Sequence, residues 1–239
     1  MSGHSHAKTI KHQKEITDKK RGQIFSKMSR LLSVAAKEGG TNPETNAKLR
    51  IAMETAKKWN LPKDNIERAI KKGSGELTGE KLEEFLFEGY GPEGIALMIE
   101  GITDNKNRTL GEVKKILHEQ GGKLVGEGAV KWMFERKGSL TVNGQDQNKE
   151  DLELMAIEAG ADDVIWEENN LIIYTKPEEL EKVKKSLEEK GKKIESVSLE
   201  WVPKEEVALS EKGESDCQKL FEALDENDSV QDVYSNLKI

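Results

Sequence analysis

One cysteine, Cys217, stands in 239 residues, so no disulfide within the chain can brace the fold, and a reducing compartment follows. No apolar run approaches the ~20 residues that a bilayer-crossing helix needs, and mean hydropathy is -0.72. The opening segment MSGHSHAKTIKHQK has no hydrophobic core for secretion and no Arg/Ser-rich amphipathic pattern for organelle import. A cytoplasmic protein without a membrane partner is therefore expected. Aromatic residues make up 5% of the chain, which leaves few candidates for stacking on bases. Three of the four histidines (His4, His6 and His12) crowd the first dozen residues, so no Ser/His/Asp arrangement can be composed. No G-x-x-x-x-G-K-[ST] run is present either. The expectation is a protein that is not an enzyme and carries no cofactor.

Charge is present in abundance and is unevenly placed. The net value of -7 conceals a head, residues 1–75, with 17 Lys+Arg against 7 Asp+Glu, a balance of +10. The remainder has 21 basic and 38 acidic residues, a balance of -17. Such polarity suits a polyanion-binding head on an acidic body, although a solvated Lys-rich surface would look the same by charge alone.

The head reads as helical. Ile24, Phe25, Met28, Leu31, Leu32 and Ala35 keep helical spacing from about Asp18 to Lys37, closed by Gly39-Gly40. At 100° per residue, Lys20, Lys27, Arg30 and Lys37 form a stripe opposite that face, free to meet phosphates. A second helix is expected from Asn42 as cap and Pro43 at its first position, and a third from Pro62 to Gly73. Their core is small, so support from the rest of the chain is anticipated.

From Leu77 the period changes. Phe85–Glu88 and Ile95–Thr103 read as strands joined by GYGPEG; Thr109–Glu112 reads as a capping box before a helix. Lys123–Val125 and Ala129–Arg136 read as strands again, with Val130, Trp132 and Phe134 alternating onto a core face. The order β-α-β-β-α-β then runs from Ser139 to Val202, the ferredoxin-like arrangement. A last helix and strand follow. The expected fold is α+β: an all-α three-helix N-terminal domain followed by two ferredoxin-like α/β domains, the second inserted in the first. The boundaries are 1–76, then 77–137 with 204–239, and 138–203 inserted.

Each motif has a plain reading beside the sharp one. Gly89–Gly94 matches GxGxxG, but a strand rather than a helix follows it, and a tight β-connection accounts for it. Gly3-His4-Ser5-His6 offers copper an adventitious square-planar site, yet no accompanying ligands make a resident metal site. Cys217 falls in an acidic helix that disfavours a thiolate, and His118 falls late in a helix, as a surface residue would. Trp132 with Phe134, or Trp201 with Leu199, could form a stacking platform, but no RNP-type run is present and core packing fits better. The loop Asp104–Thr109 sets Lys106 and Arg108 at a helix N-terminus, where phosphate is attracted, while Asn107 or Thr109 serves as cap.

Gly3-His4-Ser5, Ile10-Lys11-His12-x-Lys14, Arg21-Gly22-x-x-Phe25-x-Lys27, Glu88–Pro92 and Asp104-Asn105-x-Asn107-Arg108-Thr109 together resemble YebC-type proteins along essentially the whole chain. His6-Ala7 stands where that family usually has Lys-Trp. The resemblance implies an all-α head with two α/β domains and no catalytic residue or cofactor. It also implies DNA-binding transcriptional regulation, with translational activation and the ribosome as the alternative.

The expected role is thus a nucleic-acid-binding regulator of gene expression. The alternatives are a ribosomal-RNA-associated translation factor and an adaptor whose protein partners the sequence does not identify. The candidate phosphate contacts are Lys8, Lys11, His12, Lys14, Lys20, Arg21, Lys27, Arg30, Arg50, Lys57, Lys58, Lys106 and Arg108.

Overall fold

The computed structural model describes residues 18–79, 81–145 and 147–238, the side chains of Asp18 and Lys19 excepted. Lys8, Lys11, His12 and Lys14, and the N-terminal histidine cluster, lie outside the described residues.

Three helices open the chain: α1 (Asp18–Gly39), α2 (Ala47–Lys58) and α3 (Lys63–Gly73). Met28, Leu32, Ala35 and Ala36 of α1 meet Leu49, Ala52 and Ala56 of α2 and Ile66 and Ala69 of α3. Ile24, Phe25 and Leu31 reach this core only in part, packing around its rim. The second helix starts later than Asn42 suggests. Asn42 instead closes a turn through Glu44 N–H, and Asn46 is the true cap, its Oδ1 accepting from Leu49 N–H at 3.0 Å. Asn46 also donates from Nδ2 to the carbonyls of Ala35 and Gly40, which fixes the corner between α1 and α2.

The last turn of α3 sits hard against α1. A Cβ on Gly73 would lie 2.1 Å from the Ser33 carbonyl oxygen and 3.0 Å from the Ala36 Cβ. Gly73→Ala must therefore push the two helices apart, and a loss of about 1–3 kcal/mol is expected in chemical denaturation. An unchanged midpoint would show that this approach is not a constraint.

Beyond the head, β1 (Glu83–Tyr90) and β2 (Ala96–Thr103) form an antiparallel hairpin across Pro92–Gly94, where Glu93 and Gly94 take positive φ values of 51° and 83°. Helix α4 (Lys106–Glu119) and β3 (Lys123–Val125) follow; α7 (Glu211–Asp225) and β8 (Val230–Ser235) complete the sheet in the order β3-β1-β2-β8. Seven of the eight β2 residues are buried, as befits a strand covered on both faces. Helices α4 and α7 supply Val113, Leu117, Leu220 and Phe221 to the core, and α1 contacts β2 directly.

Between β3 and α7 the chain builds a second sheet from β4 (Phe134–Asn143), β5 (Asp163–Glu167), β6 (Asn170–Thr175) and β7 (Ile194–Pro203). Its helices are α5 (Lys149–Ala159) and α6 (Leu180–Glu189), and its order, β5-β6-β4-β7, is that of a ferredoxin-like unit. The fold is α+β, with a helical N-terminal region and the second strand-helix domain inserted in the first. Two compact units separate along the chain: residues 18–131 with 209–235, and residues 132–208 with 236–238.

Residues 129–136 depart from the sequence reading. Lys131–Met133 form a short helical turn, and Phe134–Arg136 begin β4, which runs unbroken to Asn143. Trp132 is 67% exposed and Leu199 is also exposed, so neither belongs to a core face. A turn breaks the period-2 alternation on which that expectation rested. Trp201, half-buried, lies under the Arg136 guanidinium, 5.2 Å from the ring centre.

Candidate nucleic-acid interface

The cationic stripe on α1 is divided by burial. Lys27 is 3% exposed; its Nζ lies 2.9 Å from Asp225 Oδ1 and donates to the Asp225 carbonyl at 2.6 Å. It is an internal tie between the first and last helices of its unit, and no phosphate can reach it. Arg30 is half-buried and donates to the carbonyls of Ile102 and Asp228 and to Ser229 Oγ at 3.0–3.3 Å. The middle of the stripe, Lys27 and Arg30, faces β2 and the end of α7 rather than solvent, because the small helical core needs that docking to cover its open side. Lys20 and Arg21, at the start of α1, remain accessible without a hydrogen bond or ion pair among the described residues.

The other expected contacts scatter. Arg50 donates to the Pro43 carbonyl at 2.9 Å, and Lys57 and Lys58 are exposed at the end of α2. Asn105, rather than Asn107 or Thr109, caps α4, accepting from Arg108 N–H at 3.0 Å. Lys106 and Arg108 therefore fall inside the first turn. Lys106 is exposed, while Arg108 is held by Asp104 and faces Glu112 at 3.6 Å. The Arg108 guanidinium keeps the Asp104 carboxyl below its usual range. Thr109 is buried, its hydroxyl 2.8 Å from that of Thr103.

A more concentrated arrangement lies where α1, α3 and residues 73–79 and 81–82 enclose a groove of about 800 Å³. Its cations are Arg30, Lys37, Arg68, Lys72 and Lys81, and no carboxylate lines it among the described residues. Lys37 Nζ donates to the Leu82 carbonyl at 2.9 Å, so it braces one wall. Arg68, Lys72 and Lys81 are exposed, and their side chains make no hydrogen bond or ion pair among the described residues. Arg68 and Lys72 are four apart on α3, a spacing at which like charges repel. Hydroxyls of Ser26, Ser29 and Ser74 and the ring of Phe25 complete the lining.

Sequence pattern does not single out Arg68, Lys72 and Lys81, because they come from α3 and from the segment after it. The signal available in the sequence is the Arg68-x-x-x-Lys72 pair itself, a spacing at which like charges repel.

The remaining chemistry is sparse. Cys217 is fully buried in α7, and burial, then the charges of Glu93, Asp216 and Glu214, push its thiol up to about 11. His118 is exposed in the last turn of α4. No group of three or more metal-ligating side chains occurs among the described residues.

Comparison with known proteins places the chain. The TACO1/YebC protein N-terminal domain matches residues 5–76, and the TACO1/YebC second and third domain matches residues 82–237. The chain belongs to the TACO1/YebC family. A relative in Halothermothrix orenii, named a probable transcriptional regulatory protein, is 49% identical across all of this chain and 96% of its own length. A relative of the same description in Caldanaerobacter subterraneus is 47% identical over all of this chain and 99% of its own. The crystal structure of a conserved hypothetical protein from Aquifex aeolicus superposes with a TM-score of 0.86 at 46% identity, covering 95% of this chain and 97% of that one. The fold is thus shared over 95% of this chain.

Proposed function

We propose that this protein is a cytoplasmic, non-enzymatic nucleic-acid-binding regulator of gene expression whose helical head contacts the phosphate backbone. The observation that carries the reading is the set Arg68, Lys72 and Lys81: three exposed cations around one groove, with no counter-ion and no lining carboxylate among the described residues. Lysine and arginine held so close, against their own repulsion, are suited to an external polyanion. Lys20, Arg21, Lys57, Lys58 and Lys106 add accessible positive charge outside the groove. The relatives' description supports transcription, hence DNA, as the setting. The same cations suit ribosomal RNA, and the test below separates the two.

Full-length protein and a Lys20→Ala/Arg21→Ala/Arg68→Ala/Lys72→Ala variant are titrated with mixed-sequence duplex DNA and with purified ribosomes across a salt series. Wild-type affinity should fall steeply with salt, by about 10³–10⁵ between low and moderate salt if six to ten phosphates are contacted. The variant should show a slope of log affinity against log salt shallower by about 4. Ribosome binding that survives physiological salt while duplex binding does not would set the protein on the translation side. Equal affinity and slope for both proteins would remove the head from the account.

A further inference from the structure

The groove's shape says more than its charge. We infer that it receives an unpaired nucleic-acid strand, about two to three nucleotides long, rather than a duplex; this rests on the nucleic-acid reading above. B-form DNA is read by elements that protrude into a groove about 12 Å wide. Here the cations line a recess, and its about 800 Å³ lies within the range that one or two drug-sized ligands fill. A rigid duplex can set only its phosphate edge against such a recess, whereas a flexible single strand can enter it.

The lining has the two parts that single-strand sites combine: a run of cations for the backbone and a ring on which a base can stack. Phe25 supplies the ring. It lines the groove while packing only partly against the helical core, so one side of it stays available. Arg68 and Lys72 stand on the α3 wall and Lys81 on the segment that follows it, on the way to β1. Ser26 adds an exposed hydroxyl able to meet sugar or base edges, whereas Ser29 Oγ donates to the Phe25 carbonyl and Ser74 Oγ is held by the Lys71 carbonyl and Glu76. Arg30 and Lys37, spent on backbone carbonyls, hold the walls in place.

The test is fluorescence anisotropy on the full chain at about 150 mM salt. The probes are an unstructured RNA of about 12 nucleotides, the same sequence as DNA, and the DNA duplex of that sequence. Beside wild type stand Arg68→Ala/Lys72→Ala/Lys81→Ala, Phe25→Leu and Lys114→Ala/Lys115→Ala/Lys212→Ala, the last removing equal charge from exposed positions outside the groove. Single strands should bind at least about tenfold more tightly than duplex. The groove variant should lose at least about tenfold on single strands, Phe25→Leu about fivefold, and the equal-charge control less than about threefold.

A higher affinity for either RNA or DNA sustains the inference and names the source of the strand. Equal binding of duplex and single strand, or equal losses in the groove variant and the control, overturns it while leaving nucleic-acid binding intact. No binding of any probe overturns both readings. Should the triple variant fail to fold, Arg68→Gln alone, at an exposed position, is expected to lose about threefold on single strands only.

Discussion

Lys27→Met is expected to destabilise the protein by about 3 kcal/mol while leaving its affinity for nucleic acid unchanged at temperatures where it stays folded. The ammonium of Lys27 is the buried half of a pair whose other half, Asp225, keeps 23% of its side chain exposed. Removing one partner of a buried pair leaves a charge without compensation, which costs about 3–5 kcal/mol when that charge is fully enclosed. Partial hydration of Asp225 puts the loss at the lower end. The bond from Nζ to the Asp225 carbonyl disappears as well, which frees the C-terminus of α7 from α1. Thermal unfolding should register a fall of about 6–12 °C for a chain of this size. Lys20→Met, at an accessible position, should move the midpoint by less than about 0.5 kcal/mol. A Lys27 variant of wild-type stability with weakened binding would return Lys27 to the phosphate-contacting set.

Glu88→Gln should be nearly as costly, and its cost should depend on pH. The Glu88 carboxylate, on β1, is buried and accepts from three backbone N–H groups: Gly128 at 2.6 Å, Val130 at 2.7 Å and Lys131 at 2.9 Å. It thereby fixes the turn that leads out of the first sheet. Burial disfavours the charged form, but the three N–H donors and the nearby Lys131 charge outweigh it and hold the carboxyl below 4.5. A glutamine at this place can accept through one oxygen only and turns its own NH₂ toward donors, a loss of about 2–4 kcal/mol near neutrality. Because the folded carboxyl titrates below its unfolded value, its contribution is present in full above about pH 4.5 and fades as pH falls through the lower folded value. Urea midpoints of wild type and Glu88→Gln should therefore differ widely at pH 7 and converge as pH falls below 4.5. A gap that does not change with pH would mean that the carboxylate's charge is not what holds the turn.

Local pattern carried far into this fold. The spacing of Met28, Leu32 and Ala35, the Pro62 start of α3 and the β-α-β-β-α-β order after Ser139 are periodic signals of elements that bury one face, and each appears where the period put it. Residues 129–136 misled because alternation at Val130, Trp132 and Phe134 spans a turn, so Val130 is buried and Trp132 is not. The helix caps were displaced by four residues at α2 and by two to four at α4, since several Asn and Thr residues near each start offer equivalent hydrogen bonds and packing selects among them.

The site was less legible. A cation opposite a helix's apolar face is solvated only when nothing else covers that face, and α1 has β2, the end of α7 and the connection to β8 against it, which takes Lys27 inside and occupies Arg30. The groove cations come from two segments, α3 and the stretch before β1, that no single-helix pattern joins. Only the folded chain brings Lys81 toward Arg68 and Lys72.

The central claim is that the head, rather than the inserted ferredoxin-like unit, holds nucleic acid. Ultraviolet cross-linking of the full chain to sheared genomic DNA and to ribosomes, followed by peptide mapping, tests it most directly. Cross-linked peptides should concentrate in residues 20–30 and 65–82, around Phe25, Arg68, Lys72 and Lys81. Cross-links confined to residues 134–203 would contradict the account.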